Sequence, residues 1–350
     1  MQLGFVLGSL VSASLLLADR LQPRRLAAWS AATAAISTTL LVLPGIGSTT
    51  AVLLRIIVGM ALAGVYPPGI KIAAGWTRAR RGLAIGLLVA GTALGSAAPH
   101  LMRLSVAPDT WRGLQLLAAA SAALGALLFA FRVREGPYQA PSAPFDPRAL
   151  RLVARNRAVV LATGGYLGHM WELYAMWSSI GAFWAFVARE RGLEAWVGSA
   201  TAFATVGAGA LGSIWAGWAA DRMGRSVVTI LAMAVSGACS LLIGFALDAP
   251  LAVLITLALV WGAAIVADSA QFSASVTEFA HHDYVGTAVT VQTALGFLLT
   301  MLTIGLIPAW VGAWGWKYAY MPLAIGPALG IAAMAKLRTL ERARRVAAEE

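Results

Sequence analysis

Eleven apolar runs of about twenty residues, separated by short polar stretches, make up most of the chain. They cover 1–18, 27–45, 51–75, 83–102, 111–131, 158–187, 196–217, 226–247, 251–277, 285–311 and 316–336. A helix rising 1.5 Å per residue needs about 20 such residues to cross a ~30 Å hydrocarbon core. Each run therefore predicts one spanning helix, although the 18 residues of the first reach only about 27 Å. Pro44-Gly45-Ile46-Gly47-Ser48 is typical of the turn chemistry between runs. The stretch 132–157 breaks the rhythm. It holds Pro137, Pro141, Pro144, Pro147 and a concentration of charge, and predicts an aqueous linker. The chain divides accordingly into a first bundle (1–131), a linker (132–157), a second bundle (158–337) and a polar tail (338–350).

Composition agrees with lipid as the solvent. Hydrophobic residues are 59% of the total, charged residues 12%, and mean hydropathy is +0.77, whereas soluble domains carry roughly 25% charged residues. The net charge of +11 would suggest nucleic acid on a soluble protein. Here the basic residues sit in short loops with no interleaved aromatics, so they orient a membrane protein and do not grip nucleic acid. With the 19–26 loop placed in the cytoplasm, twenty Lys and Arg fall inside and five outside, with Arg55 left within a span. Lys71 and Arg78 count among the inside loop charges, and Arg148 among those of the linker. The C-terminus is then cytoplasmic and the host membrane is the inner (plasma) membrane. The first run has no basic residue before it and a basic cluster after it, which is the wrong order for a signal peptide. The single cysteine, Cys239, excludes an internal disulfide and a cysteine metal site.

Two of the inside loops are alike. One reads Gly217-Trp-Ala-Ala-Asp221-Arg222-Met-Gly224-Arg225, the other Leu15-Leu-Leu-Ala-Asp19-Arg20-Leu-Gln-Pro-Arg24-Arg25. Each follows an out-to-in helix and precedes an in-to-out helix, the mark of a duplicated bundle. These residues resemble the signature loop of the major facilitator superfamily, Gly-x-x-x-Asp-Arg-x-Gly-Arg, which joins the second and third helices of each six-helix half. Residues 217–225 match it, whereas 15–25 keep the Asp and Arg without either glycine. Arg55-x-x-x-Gly59-x-x-x-x-Gly64 resembles the family's fourth helix. Gly86, Gly91, Gly95 and Pro99 only partly follow its fifth-helix antiporter pattern. The resemblance implies an all-α membrane protein of two pseudo-symmetric bundles. It also implies that Asp19 and Asp221 hold the inner side together through charge pairs and a nearby helix end. Asp221 lies 63 residues past residue 158, but Asp19 only 18 past residue 1. The shortfall of 45 residues equals one helix and its loop, so the eleven spans are expected to be the family's helices two to twelve. A truncated, non-transporting protein, either a sensor or a gene remnant, is the alternative expectation.

No Gly-x-x-x-x-Gly-Lys-Ser/Thr loop is present to hold ATP, no His-Glu-x-x-His cluster to hold a metal, and no cofactor motif. His281-His282-Asp283 reads as a solvated inside turn. Ionisable groups within lipid cost about 2.5–3.5 kcal/mol each at a helix centre and need a partner or a purpose. Glu172 lies near the middle of its run with His169 three residues earlier and Tyr166 a turn before that, on one face. Glu172 and His169 form either a proton-titrating pair or a static interhelical pair. Asp268, Gln271 and Ser275 form a second polar stripe, which either coordinates substrate or a cation, or hydrogen-bonds between helices. Arg55 either relays protons and gates, as the resemblance implies, or snorkels to the interface. His100 with Arg103 reads as a solvated pair. Pro67-Pro68-Gly69 is expected to kink its helix. The switch candidates are Asp19, Arg20, Gly217, Asp221, Arg222, Gly224 and Arg225. The expected activity is secondary transport of a small solute by alternating access in a monomer, driven by protons because titratable groups are present and a nucleotide motif is not, and by symport because the antiporter pattern is incomplete. No catalytic residue is expected.

Overall fold

In the computed structural model, residues 1–77, 79–102, 111–138 and 149–349 are described. The expected linker prolines Pro141, Pro144 and Pro147, together with Arg78, Arg103 and Arg148, lie outside them. Every apolar run becomes helix, and no strand occurs among the described residues. In chain order the helices are α1 (Gln2–Ser14), α2 (Leu17–Arg20), α3 (Pro23–Leu40), α4 (Ser48–Ala63), α5 (Tyr66–Trp76), α6 (Arg81–Met102), α7 (Trp111–Phe131) and α8 (Ala149–Arg155). They continue with α9 (Arg157–Glu190), α10 (Ala195–Met223), α11 (Arg225–Leu242), α12 (Leu251–Ala267), α13 (Ser269–Phe279), α14 (Val285–Ala319) and α15 (Ile325–Glu349). Among the described residues, eight helical stretches are long and apolar enough to cross a membrane. The exterior is apolar in turn: Phe131, Trp29 and Leu211 are each more than 70% exposed, as a lipid-facing surface requires.

Local chemistry explains the breaks. Run 51–75 divides at Gly64–Val65, so Pro67 falls in the first turn of α5, where its missing N–H costs nothing. Run 251–277 divides at Asp268, between α12 and α13. The tenth run extends to Ala319, beyond its expected end at 311. It is broken only at Gly315, whose φ of 68° a side chain would resist. The final helix consequently starts at Ile325, after a short 3₁₀ turn at Met321–Ala324.

Two compact units emerge, and each draws on both halves of the sequence. The first comprises Met1–Arg78, Val106–Val159 and Val276–Leu298. In it α1 meets α4 at small residues: a Cβ at Gly4 would strike the Ile56 backbone, and one at Gly59 the Phe5 backbone. Ala34, Val58 and Ala61 form the α3–α4 core, capped by Leu62. The start of the linker is pinned to this unit. Trp76 Nε1 donates to Arg134 O (2.9 Å), Tyr138 N to Gly75 O (2.9 Å), and Arg24 pairs with Glu135 at 3.2 Å. Asn156 Oδ1 caps α9 by accepting from Ala158 N and Val159 N.

The second unit comprises Ala79–Ser105, Val160–Ser275 and Leu299–Glu350. Its core includes Ala216, Ala219, Ala220, Val228, Ala232 and Ala267. Helices α6 and α10 approach backbone to backbone. A Cβ at Gly217 would collide with the Gly82 carbonyl and one at Gly86 with the Ser213 carbonyl, and Ser213 Oγ donates to Gly86 O across the same contact at 3.0 Å.

Candidate functional site: buried acids and two aspartate junctions

The buried acids of the second unit lie where α9 faces the α12–α13 break. Glu172 and Asp268 are each 1% exposed, as is His169. Glu172 Oε1 accepts from Trp261 Nε1 at 2.7 Å, and Oε2 accepts from Ser236 Oγ at 2.9 Å. His169 Nδ1 lies 2.8 Å from Asp268 Oδ1. The expected pairing of Glu172 with His169 therefore gives way to two separate pairings. The two side chains share a face of α9, but each reaches across to another helix. His169 meets Asp268 and Glu172 meets Trp261, seven residues earlier. This reversal of order is what antiparallel helices produce, and the long indole makes up the difference in rise. The Tyr166 ring centroid is 5.9 Å from that of His169 and 6.1 Å from that of Phe272.

Several buried polar atoms here have no hydrogen-bond partner among the described residues: His169 Nε2, Gln271 Nε2, Ser273 Oγ and Ser275 Oγ. Unpartnered polar atoms in a buried setting are costly, so a site holding several is a candidate for water, protons or a polar solute. Glu172 is the fully engaged acid. The His169–Asp268 pair is the one with hydrogen-bonding capacity to spare.

Asp221 sits at the end of α10 and reaches the first turn of α6. Its Oδ1 accepts from Gly82 N at 3.0 Å and its Oδ2 from Leu83 N at 3.1 Å. A carboxylate on the free amides of a helix start satisfies groups that have no partner within the helix, and it complements the helix dipole. Arg225 Nη1 donates to Asp221 Oδ1 at 2.6 Å and to Gln271 Oε1 at 3.3 Å. The turn between α10 and α11 is made at Gly224, with φ 94°. Arg222 lies over the Trp218 ring, 3.9 Å from its centroid. Both line an open cavity of about 340 Å³ with Ala79, Arg80 and Leu83.

Asp19 builds a matching arrangement within the first unit. Its Oδ1 accepts from Gly286 N at 2.8 Å, and its Oδ2 accepts from Thr287 N at 2.6 Å and Thr287 Oγ1 at 2.7 Å. These groups form the first turn of α14. The cation is Lys71 of α5, whose Nζ donates to Asp19 Oδ1 at 2.7 Å and to Ala18 O at 3.0 Å. Lys71 is 6% exposed, which corrects its expected place among the loop charges. A lysine shortly after two prolines near the end of an apolar run looks topogenic, and only the fold reveals the buried acid that balances it. Arg20 is exposed at the same turn. Lacking both signature glycines, this loop turns with Leu16 at φ 54° and enters α3 through Pro23.

Arg55 belongs to the first unit. It is half-buried, its Nη1 lies 3.7 Å from Met1 Sδ, and with Trp111 and Arg112 it lines an open, largely apolar cavity of about 560 Å³. His281 and His282 are exposed around Asp283, their ligand atoms within 4.8 Å of one another. Sequence reasoning missed Trp261, Ser236, Lys71, Gly82 and Gly286. Gly82 and Gly286 each stand just inside a helix start that follows a polar loop, and that was the available signal.

The sequence profile of the Major Facilitator Superfamily matches residues 1–208. No curated protein matches the chain. Among solved structures, the crystal structure of the human organic anion transporter MFSD10 (TETRAN) shares the fold at a TM-score of 0.70 and 18% identity, over 95% of this chain and 81% of that one. Fold and profile together describe a multi-pass membrane transporter and point away from an enzyme. With more than half its length matched by the family profile, the chain belongs to the Major Facilitator Superfamily.

Proposed function

We propose that the protein is a secondary active transporter that moves a small solute by alternating access, with proton symport as the drive. It sits in the inner (plasma) membrane as a monomer, with its C-terminus in the cytoplasm and its two sequence halves, 1–131 and 158–337, acting as the pseudo-symmetric bundles. The supporting observation is the buried His169–Asp268 pair, 2.8 Å apart and beside Glu172, with His169 Nε2 left without a partner. Titratable groups inside a transporter fold are expensive and serve proton relays elsewhere. In this reading His169 and Asp268 share and release the coupling proton, Glu172 sets the local charge, and Tyr166 and Gln271 border the solute. Asp19 and Asp221 hold the cytoplasmic ends of α14 and α6 while the transporter faces outward, and release them as it rocks. Arg55 and Arg112 draw anions to the outer cavity.

The test is solute uptake into proteoliposomes with and without an imposed pH gradient. The solutes to try first are organic anions, the class named for the 18%-identical structure. An inward proton gradient is expected to raise accumulation at least tenfold, on the scale of one coupled proton, since each pH unit is worth 1.36 kcal/mol. Glu172→Gln and Asp268→Asn are expected to abolish that rise while leaving exchange of solute at equilibrium. Uptake indifferent to the gradient in the unaltered protein would refute proton coupling.

A further inference from the structure

We propose that Arg225 is a positioning residue that makes the Asp221 junction and the buried His169–Asp268 pair a single coupled element. The inference rests on the reading of His169 and Asp268 as the working pair. The residues concerned all belong to the second unit.

One atom carries the connection. Arg225 Nη1 is 2.6 Å from Asp221 Oδ1 and 3.3 Å from Gln271 Oε1, so a single donor spans the carboxylate at the start of α6 and the amide on α13. Arg225 is 7% exposed and Gln271 fully buried, so water does not replace either bond cheaply. Gln271 stands one turn after Asp268, and its own N–H donates to Asp268 O at 2.9 Å, closing the first turn beyond the α12–α13 break. The path from the junction to the pair runs through side chains from Asp221 to Arg225 to Gln271, then along the main chain of the first turn of α13 to Asp268, whose Oδ1 lies 2.8 Å from His169 Nδ1. Gly82 keeps it open, because a Cβ there would occupy the position of Arg225 Nη1. The cation of the Asp19 junction behaves differently. The second bond of Lys71 returns to Ala18 O, within its own loop.

A helix break is a natural place for two arrangements of one segment. A change at Asp268 moves the first turn of α13, and Gln271 with it. Arg225 Nη1 then gives up one of the two acceptors it spans. Loss of Asp221 acts along the same path in reverse, since coupling between two sites is reciprocal. An arginine suits the role because its planar guanidinium holds the two hydrogens of Nη1 in fixed directions, one toward each acceptor, which a freely rotating lysine ammonium does not.

Hydrogen–deuterium exchange of the peptide spanning the start of α6, in detergent-purified full-length protein, tests this without transport. Asp268→Asn is expected to change exchange at the Gly82 and Leu83 amides about fivefold, the lower end of typical coupling. In a Gln271→Leu background, or Gln271→Met should the leucine variant fold poorly, the same substitution is expected to change it less than twofold. Arg225→Lys is expected to uncouple in the same way while still slowing exchange relative to Asp221→Ala. A change of equal size with and without Gln271, or no change on Asp268→Asn in a protein whose exchange does respond to Asp221→Ala, would overturn the proposal. Failure here leaves gradient-driven uptake and its loss in Glu172→Gln untouched, and a protein without proton-driven uptake still gives a readable exchange result.

Discussion

The Asp19 and Asp221 junctions solve the same problem with different means. Each places a carboxylate on two amides in the first turn of a distant helix, Gly286 and Thr287 in one unit, Gly82 and Leu83 in the other. At Asp19 the carboxylate is fully buried and takes two more donors, Thr287 Oγ1 and the buried Lys71 ammonium. At Asp221 the carboxylate keeps about 10% of its surface and takes its charge partner, Arg225, from four residues along its own chain. The first is closed on itself. The second is half-open and leads inward to Gln271. Within one duplicated motif, one copy has become a fastening and the other a connection.

The largest expected difference is in stability. Asp19→Ala strands a buried lysine and two helix-start amides, and removal of one partner of a buried pair costs about 3–5 kcal/mol. Asp221→Ala strands the Gly82 and Leu83 amides but leaves the buried Arg225 a second side-chain acceptor in Gln271, so about 1–3 kcal/mol is expected, the cost of unsatisfied groups alone. Denaturant unfolding of the two variants in a common detergent measures the gap. The sharper version adds Lys71→Met to Asp19→Ala. The double variant is expected to recover a large part of the loss, because an apolar side chain in place of the ammonium removes the uncompensated charge. If Asp221→Ala is the more damaging of the two, the distinction between closed and half-open junctions fails.

A smaller effect separates the turns. Gly224 joins α10 to α11 at φ 94° and ψ 148°, a region almost exclusive to glycine in which a Cβ costs about 1–3 kcal/mol. Gly224→Ala is expected to destabilise by that amount. Gln22, which occupies the corresponding place after Asp19 at φ −61°, is expected to tolerate alanine within about 0.5 kcal/mol. Unfolding midpoints under one set of conditions compare them directly.

The sequence made one side of each junction legible and hid the other. Asp19 and Asp221 stand out because an acid in a basic loop does nothing for orientation, and the resemblance assigned them a helix end. What they bind is backbone amide, which has no side-chain signature, and it lies more than a hundred residues away in the chain. The helices were legible for a simpler reason. A bilayer demands about twenty apolar residues per crossing, so runs and elements coincide. Where they diverge, at Asp268 and beyond residue 311, the break depends on a polar residue or a glycine inside an apolar stretch, and hydrophobicity alone does not register it. Glu172, His169 and Asp268 were visible as buried charge, because such residues are costly in lipid. Their pairing was not, because spacing along α9 says which side chains share a face but not which helix that face meets. Trp261 and Ser236 read as an apolar aromatic and a small interface residue, and only contact with Glu172 gives them a polar task.

The smallest effect concerns the arginine beside each aspartate, and it tests how far the two copies have diverged at the surface. Arg222 lies flat over Trp218, with its guanidinium carbon 3.9 Å from the ring centroid, and its Nη1 donates to Trp218 O at 3.4 Å. An exposed contact of this kind is worth about 0.5–1 kcal/mol. Arg222→Ala is expected to lose that much, and Arg222→Lys roughly half, since a compact ammonium covers less of the indole than a planar guanidinium. A cycle with Trp218→Leu isolates the term: once the ring is gone, Arg222→Ala is expected to cost almost nothing. In the other loop Leu16 stands at the position that matches Trp218, so this stacking belongs to the second copy. Should the Arg222–Trp218 coupling vanish in the cycle, the stacking is an incidental rotamer, and Arg222 serves orientation alone, as a loop arginine does.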